Sequence, residues 1–303
     1  MSSPDKTRKQ LRSKFKTLTS WYNELREKHV FLAQQPDEHL TDAHLTHLEI
    51  QLSSLDFETG QVSSTIPHFF LPATQERIEN TWNAGSDGAS IQDHHFSSSG
   101  FCQDYSWGCN LMREVAGHHW TLARCHSEPW APIGISQSST WAYQSGNRQY
   151  SVGGVFDIDG ISKSHRILHL TTDCVGDDSK LTASEVMAML DFMLSEMGAQ
   201  ITETKRAFDR REVPRRVHFI YPVLVISVLN PVQVRILQGH FDGALKIQCT
   251  KLHNFDITNY KRLVKSLLRW TVPTPCGNTT AKNSLPEVSE SSEESEYTSD
   301  SSS

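Results

Sequence analysis

Long apolar runs are missing from this sequence. The longest, Phe219–Leu229, is about half of the ~20 residues that a membrane helix needs. The first residues are charged and carry no apolar core segment, so a secretory leader is not expected. Cysteine is scarce: 6 in 303 residues, at positions 102, 109, 125, 174, 249 and 276, with no CxxC pair. In a chain without a leader, that spacing predicts reduced thiols and not a disulfide framework. There is no glycine-rich phosphate loop and no G-x-S-x-G elbow, so neither a P-loop nucleotide site nor an α/β-hydrolase nucleophile is encoded. The body of the chain also lacks net charge. Glu287, Glu290, Glu293, Glu294, Glu296 and Asp300 contribute −6, which is the whole formal charge. A neutral body does not make nucleic acid the expected partner. These absences predict an intracellular protein, cytoplasmic or nuclear, with no membrane partner and no cofactor site.

What is present divides the chain into three parts. Residues 1–56 read as a helical hairpin with a basic start. Leu11, Phe15, Leu18, Tyr22, Leu25 and Leu32 fall on one helical stripe that skips a turn at His29. Pro36 and Asp37 interrupt it, and Thr41 can cap a second helix whose Leu45, Leu48, Leu52 and Leu55 keep the spacing. Lys6, Arg8, Lys9, Arg12, Lys14 and Lys16 make the opening basic. Three roles are open to this segment: packing on the main domain, offering residues 8–55 to a protein partner or to a second copy of the chain, or carrying a nuclear-import signal in its basic cluster.

Residues 57–275 read as an α+β globular domain: a mostly antiparallel sheet flanked by helices. A short helix is expected over 74–82 and another over 110–119, with a Ser, Gly, Asp and His-rich loop over 85–108. Extended segments follow at 130–136, 140–144, 150–158 and 166–172. Asp159-Gly160 between apolar runs is a hairpin cue, since both residues tolerate positive φ. The core block is 181–270. Thr182-x-x-Glu185 fits a capping box, and Val186, Met189, Leu190, Met193, Leu194 and Met197 form one apolar face. Strands are expected at 217–229, 232–240 and 244–252, with tight connections at Asn230-Pro231 and Asp242-Gly243, and a closing helix at 257–270. In the middle strand Val232, Val234, Ile236 and Gln238 face one way, and Gln233, Arg235, Leu237 and Gly239 the other. Consecutive strands between helices suggest an α+β layer sandwich and not alternating βαβ units. Arg206, Arg210, Arg211, Arg215 and Arg216 form a basic connector within the block.

Residues 276–303 read as a disordered Ser/Glu-rich acidic tail, too polar to bury a core. Ser291 has Glu294 three residues on, a setting that suits phosphorylation by acid-directed kinases.

Three motifs bear on chemistry. Val155–Gly160 resembles the first motif of haloacid-dehalogenase-type phosphatases, in which Asp157 would accept the phosphoryl group and Asp159 serve as general acid, and Gly176-Asp177-Asp178 superficially echoes a later motif of that family. Only five residues separate Gly160 from Arg166, too few for a crossover between parallel strands, so a hairpin turn is the preferred reading. The helix–three-strand–helix order of 181–270 is similar to restriction-endonuclease-like nucleases, which need an acid-x-Lys on the third strand. Here no carboxylate stands two before Lys246 or Lys251, and Asp242 sits in a turn. His94, His95, Cys102, Cys109, His118, His119, Cys125 and His126 crowd one stretch, yet the short ligand spacings of zinc sites are missing. No catalytic residue, cofactor or metal ligand is assigned.

The segments Val217–Pro222, Val234–Gly243 and Lys251–Phe255 resemble a group of uncharacterised proteins from filamentous fungi, over the last half of the chain. The resemblance implies a fungal protein and assigns no residue a role. The leading expectation is a non-catalytic interaction or regulatory protein. The alternatives are a metal-dependent hydrolase with a degenerate nuclease-like core, or an accessory protein of a fungal biosynthetic pathway.

Overall fold

The structure is a computed structural model, and it describes residues 4–35, 38–63, 65–85, 115, 130–132, 141–145, 148–158, 164–210, 212, 218–230, 233–255 and 259–280. The His/Cys cluster at 94–126, Asp159-Gly160, Arg211, Arg215, Arg216 and the acidic tail beyond 280 lie outside the described residues. So does the expected 110–119 helix, apart from Val115, which is helical and buried.

The chain opens with helix α1 (Pro4–Gln34), followed by α2 (Asp42–His47), β1 (Ile50–Ser54), β2 (Phe70–Leu71) and α3 (Gln75–Gly85). Then come β3 (Trp130–Pro132), β4 (Trp141–Ser145), β5 (Arg148–Ile158), β6 (Arg166–Val175) and the long helix α4 (Ala183–Asp209). The rest is β7 (Val223–Asn230), β8 (Gln233–Phe241), β9 (Leu245–Cys249), β10 (His253–Asn254), α5 (Tyr260–Thr271) and β11 (Thr274–Pro275). One large sheet has the order β1-β9-β8-β7-β6-β5-β3, with β4 also paired to β5 and β10 to β8. Its pairs are antiparallel except β6–β7 and β1–β9. The expected α+β class with a mostly antiparallel sheet between helices is therefore what the chain forms.

Two departures have physical causes. The second helix of the expected hairpin begins at its cap, where Thr41 accepts from the His44 amide, but it ends at His47. Glu49 takes a left-handed backbone (φ 53), which no helix continues through. The chain then runs straight as β1 and pairs in parallel with β9, Ile50 opposite Leu245. Leu52 and Leu55 are thus a strand residue and a bridge residue, not helix positions. The second departure is the parallel β6–β7 pair. The long α4 carries the chain between them as one βαβ crossover inside the mostly antiparallel sheet. By contrast β5 and β6 pair antiparallel with Asp157 opposite Arg166, the geometry of a hairpin and not of the parallel strands a phosphatase motif requires.

Side-chain alternation splits the core into two layers. On one face Val152, Val155, Leu168, Leu170, Val223, Val225, Leu237, Leu245 and Ile247 pack under α1 and α4. Residues 183–190 of α4 are buried all round, because the sheet covers one side and α1 the other. The α1 stripe is absorbed there: Leu18, Leu25 and Leu32 are buried, and Trp21 meets the Phe241 ring edge-on at 5.6 Å. Where the stripe skips, His29 Nε2 lies 2.8 Å from Asp191, which also accepts from the Tyr150 hydroxyl at 2.5 Å. On the opposite face Ile167, Leu224, Ile226, Val234 and Ile236 meet Leu263, Val264, Leu267 and Trp270 of α5 and the segment around Phe69–Ile78. Burial of such side chains contributes about 1.5–3 kcal/mol each relative to exposure.

Candidate functional site

The greatest concentration of reactive side chains among the described residues lies where β6 ends and α4 begins. The connection 176–182 is folded by side chains: Asp177 accepts from the Ser179 amide and hydroxyl (2.8 and 2.7 Å), and Asp178 accepts from the Leu252 amide (2.6 Å). Thr182 then caps α4 in the expected capping box. Its amide and hydroxyl both donate to Glu185 Oε2 at 2.9 Å, and the Glu185 amide donates back to Thr182 Oγ1.

Glu185 also holds Arg235 of β8. Arg235 Nε donates to Glu185 Oε1 at 2.7 Å, Nη2 pairs with Oε2, and Nη1 donates to the carbonyls of Asp177 (3.2 Å) and Lys180 (2.9 Å). Both residues are almost fully buried, 0% and 1% exposed, and such burial is tolerated only for a charge whose donors and acceptors are filled. Burial alone would raise the Glu185 carboxyl, but the guanidinium and the Thr182 amide outweigh it and hold the group below its ordinary value. Burial likewise opposes the charge on Arg235, and Glu185 overcomes it, so the pair stays ionised.

The segment between α1 and α2 docks on the same corner. Leu40 donates to the Leu181 carbonyl and the Ala183 amide to the Glu38 carbonyl, both at 2.8 Å, and His39 forms a bridge with Thr182. This places Glu38 and His39 beside Cys174, the penultimate residue of β6; one ligand atom from each of the three lies within 4.8 Å of the others. Cys174 Sγ is 3.7 Å from His39 Nε2, and that nitrogen donates to the Val175 carbonyl at 2.8 Å.

Thiol, imidazole and carboxylate in that order suggest a cysteine nucleophile, and the surroundings argue against it. Burial, reinforced by Glu38, Glu185 and Asp173, pushes the Cys174 thiol up to about 12, whereas attack needs the thiolate. Cys174 is 4% exposed, and the His39 nitrogen nearest the sulfur is committed to a backbone carbonyl. Cys249 on β9 is also held up at about 12, by burial first, with Arg235 opposing.

The acids singled out from sequence do not meet. Asp157, the penultimate residue of β5, lies beside Arg166 (3.5 Å), which in turn pairs with Glu196 at 2.5 Å. Asp177 is at the other end of β6, in the turn before α4. Asp242 lies in the β8–β9 turn, 2.7 Å from Lys246 Nζ and 3.7 Å from His240 Nε2. Burial would raise the Asp242 carboxyl, yet His240 and Lys246 bring it down to about 2. Lys246 is thus an ion-pair partner, and Asp177 faces its own Ser179 and Lys180. Among the described residues the Glu38, His39 and Cys174 set is the one group of three or more such side chains close enough to share an ion.

Glu38, His39 and the Glu185–Arg235 pair escaped the sequence reading, although two signals were there. Glu185 is the acid of a legible capping box. Arg235 is an unshielded charge at an inward position between Val234 and Ile236. What joins them, a contact spanning fifty positions, has no local signature. Compared with protein-family models, with curated proteins and with solved structures, the chain gives no match in any of the three.

Proposed function

We propose that this is a non-catalytic intracellular interaction protein that associates with a second copy of itself through the region 8–55. The observation that carries the reading is the mutual engagement of its reactive groups. Glu185 is engaged by Arg235, Asp157 and Glu196 by Arg166, Asp191 by Tyr150 and His29, and Asp242 by Lys246. A hydrolytic centre needs instead acids or imidazoles converging on a shared cleft.

Within 8–55 the apolar stripe of α1 is occupied by the core, which leaves β1. It pairs with β9 on one side; on the other, among the described residues, it has no strand, and only its last residue, Ser54, is met there, by the Ser63 amide. Leu52 is exposed, and a cleft of about 380 Å³ lined by Leu45, Glu49, Ile50, Gln51 and Gly243 lies alongside. Open edges template pairing with another chain. Ile50–Ser54 carries no charge, so an antiparallel pairing with its own copy about a two-fold brings no like charges together.

Size-exclusion chromatography with light scattering tests this. The full chain is expected to rise with concentration above 34.3 kDa, and Leu52→Lys, which charges the edge, to return it to that mass. A strict monomer at all concentrations contradicts the self-association. Phosphodiester or phosphate-ester hydrolysis with added divalent metal that disappears in Asp157→Ala or Asp242→Ala contradicts the non-catalytic reading.

A further inference from the structure

We propose that Glu38, His39 and Cys174 form a zinc site that ties the segment between α1 and α2 to the C-terminal end of β6. It is independent of the interaction reading above, which stands or falls without it.

The geometry is close to what the ion needs. Zinc takes thiolate at about 2.3 Å and nitrogen or oxygen at about 2.0–2.2 Å in a tetrahedron, which sets neighbouring donors roughly 3.5 Å apart. Sγ and Nε2 are 3.7 Å apart, and the carboxylate completes a triangle with sides no longer than 4.8 Å. The backbone fixes that triangle in advance. Hydrogen bonds at Glu38, Leu40, Leu181 and Ala183 and the His39–Thr182 bridge hold the loop against the start of α4, while Cys174 is anchored in β6. The donor set selects the metal class: one soft sulfur, one imidazole and one carboxylate suit zinc and disfavour magnesium or calcium, which take oxygen. Charge also fits. A thiolate and a carboxylate neutralise the dication, whereas without it the charges of Glu38, Glu185 and Asp173 oppose the thiolate.

On binding, the Cys174 S–H bond is replaced by S–Zn and the proton leaves to solvent. His39 moves its ring proton from Nε2 to Nδ1, so that Nε2 exchanges its hydrogen bond with the Val175 carbonyl for the metal. Glu38 and Val175 are exposed, so the ion has a way in, and three protein donors leave the fourth position for water.

The test uses the full chain, stripped with chelator and titrated with zinc and with cobalt. The expected result is a proton released per ion, a thiolate-to-cobalt charge-transfer band and a higher melting temperature with zinc. Cys174→Ser should abolish the band. Glu38→Gln and His39→Ala, both at positions that are not buried and so compatible with folding, should each weaken zinc binding by more than about tenfold, at or above what loss of a supporting group around a metal costs. Absence of zinc binding at micromolar free metal overturns the proposal. So does binding that is unchanged in all three variants, which would assign the ion elsewhere in the chain.

Discussion

The two faces of the sheet bury polar groups by opposite means. Under α1 and α4 the buried pair is ionised: Glu185 and Arg235, closed by Thr182 and by the carbonyls of Asp177 and Lys180. Under α5 two buried side-chain amides meet backbone groups without charge. Gln238 Oε1 accepts from the amides of Phe69 and Phe70, and Gln248 Nε2 donates to the carbonyls of Ile66 and Pro67, so two glutamines satisfy backbone groups of this segment beyond its pairing with β11. His169, also on that face, is held neutral, its pKa driven by burial down to about 3. The difference teaches that full charge is retained where a helix cap, a guanidinium and a turn together fill every donor and acceptor. Where only backbone must be satisfied, amides suffice and carry a smaller desolvation cost.

Removing one partner of the ionised pair should break the comparison most severely. Glu185→Ala or Arg235→Ala leaves an uncompensated buried charge, with an expected loss of about 3–5 kcal/mol in urea unfolding. Acid should act on the other face. The imidazole of His169 is neutral in the fold to about pH 3, while in the unfolded chain it gains a proton below about 6.5. Its contribution is therefore complete above pH 6.5 and falls by up to about 1.4 kcal/mol per pH unit between there and pH 3. His169→Gln should flatten that slope in pH-dependent unfolding. Gly239→Ala probes the packing between sheet and α4: a Cβ would come within 2.1 Å of Met189 Sδ, so a loss of about 1–3 kcal/mol is expected. Thr182→Ala, which removes the cap and one donor to Glu185, should cost about 1 kcal/mol and give the smallest effect.

The outline of the fold was legible because its signals are local. The capping box starts α4, alternation sorted β8 correctly, with Gln238 on the Val234 and Ile236 side and Arg235 on the other, and the tight turn at Asp242-Gly243 is matched by φ 105 at Gly243. The end of α2 was not legible. Leu45, Leu48, Leu52 and Leu55 keep helical spacing, and what overrides it is the free edge of β9, reached through one left-handed residue. The length of α4, which runs nine residues past Gln200, was hidden because its later turns are polar. The candidate site was illegible for the same reason as β1. Glu38 and Cys174 are brought together by backbone pairing between segments more than a hundred positions apart, and no periodicity reports that.

A double-mutant cycle at residues 185 and 235 tests most directly the claim that the chain's charged groups serve its architecture. Glu185→Met and Arg235→Met singly should each lose several kcal/mol. The double variant should recover most of that loss, a coupling well above the few tenths seen between independent sites, and keep a native circular-dichroism spectrum. Losses that simply add, or single variants as stable as the parent chain, would contradict the account.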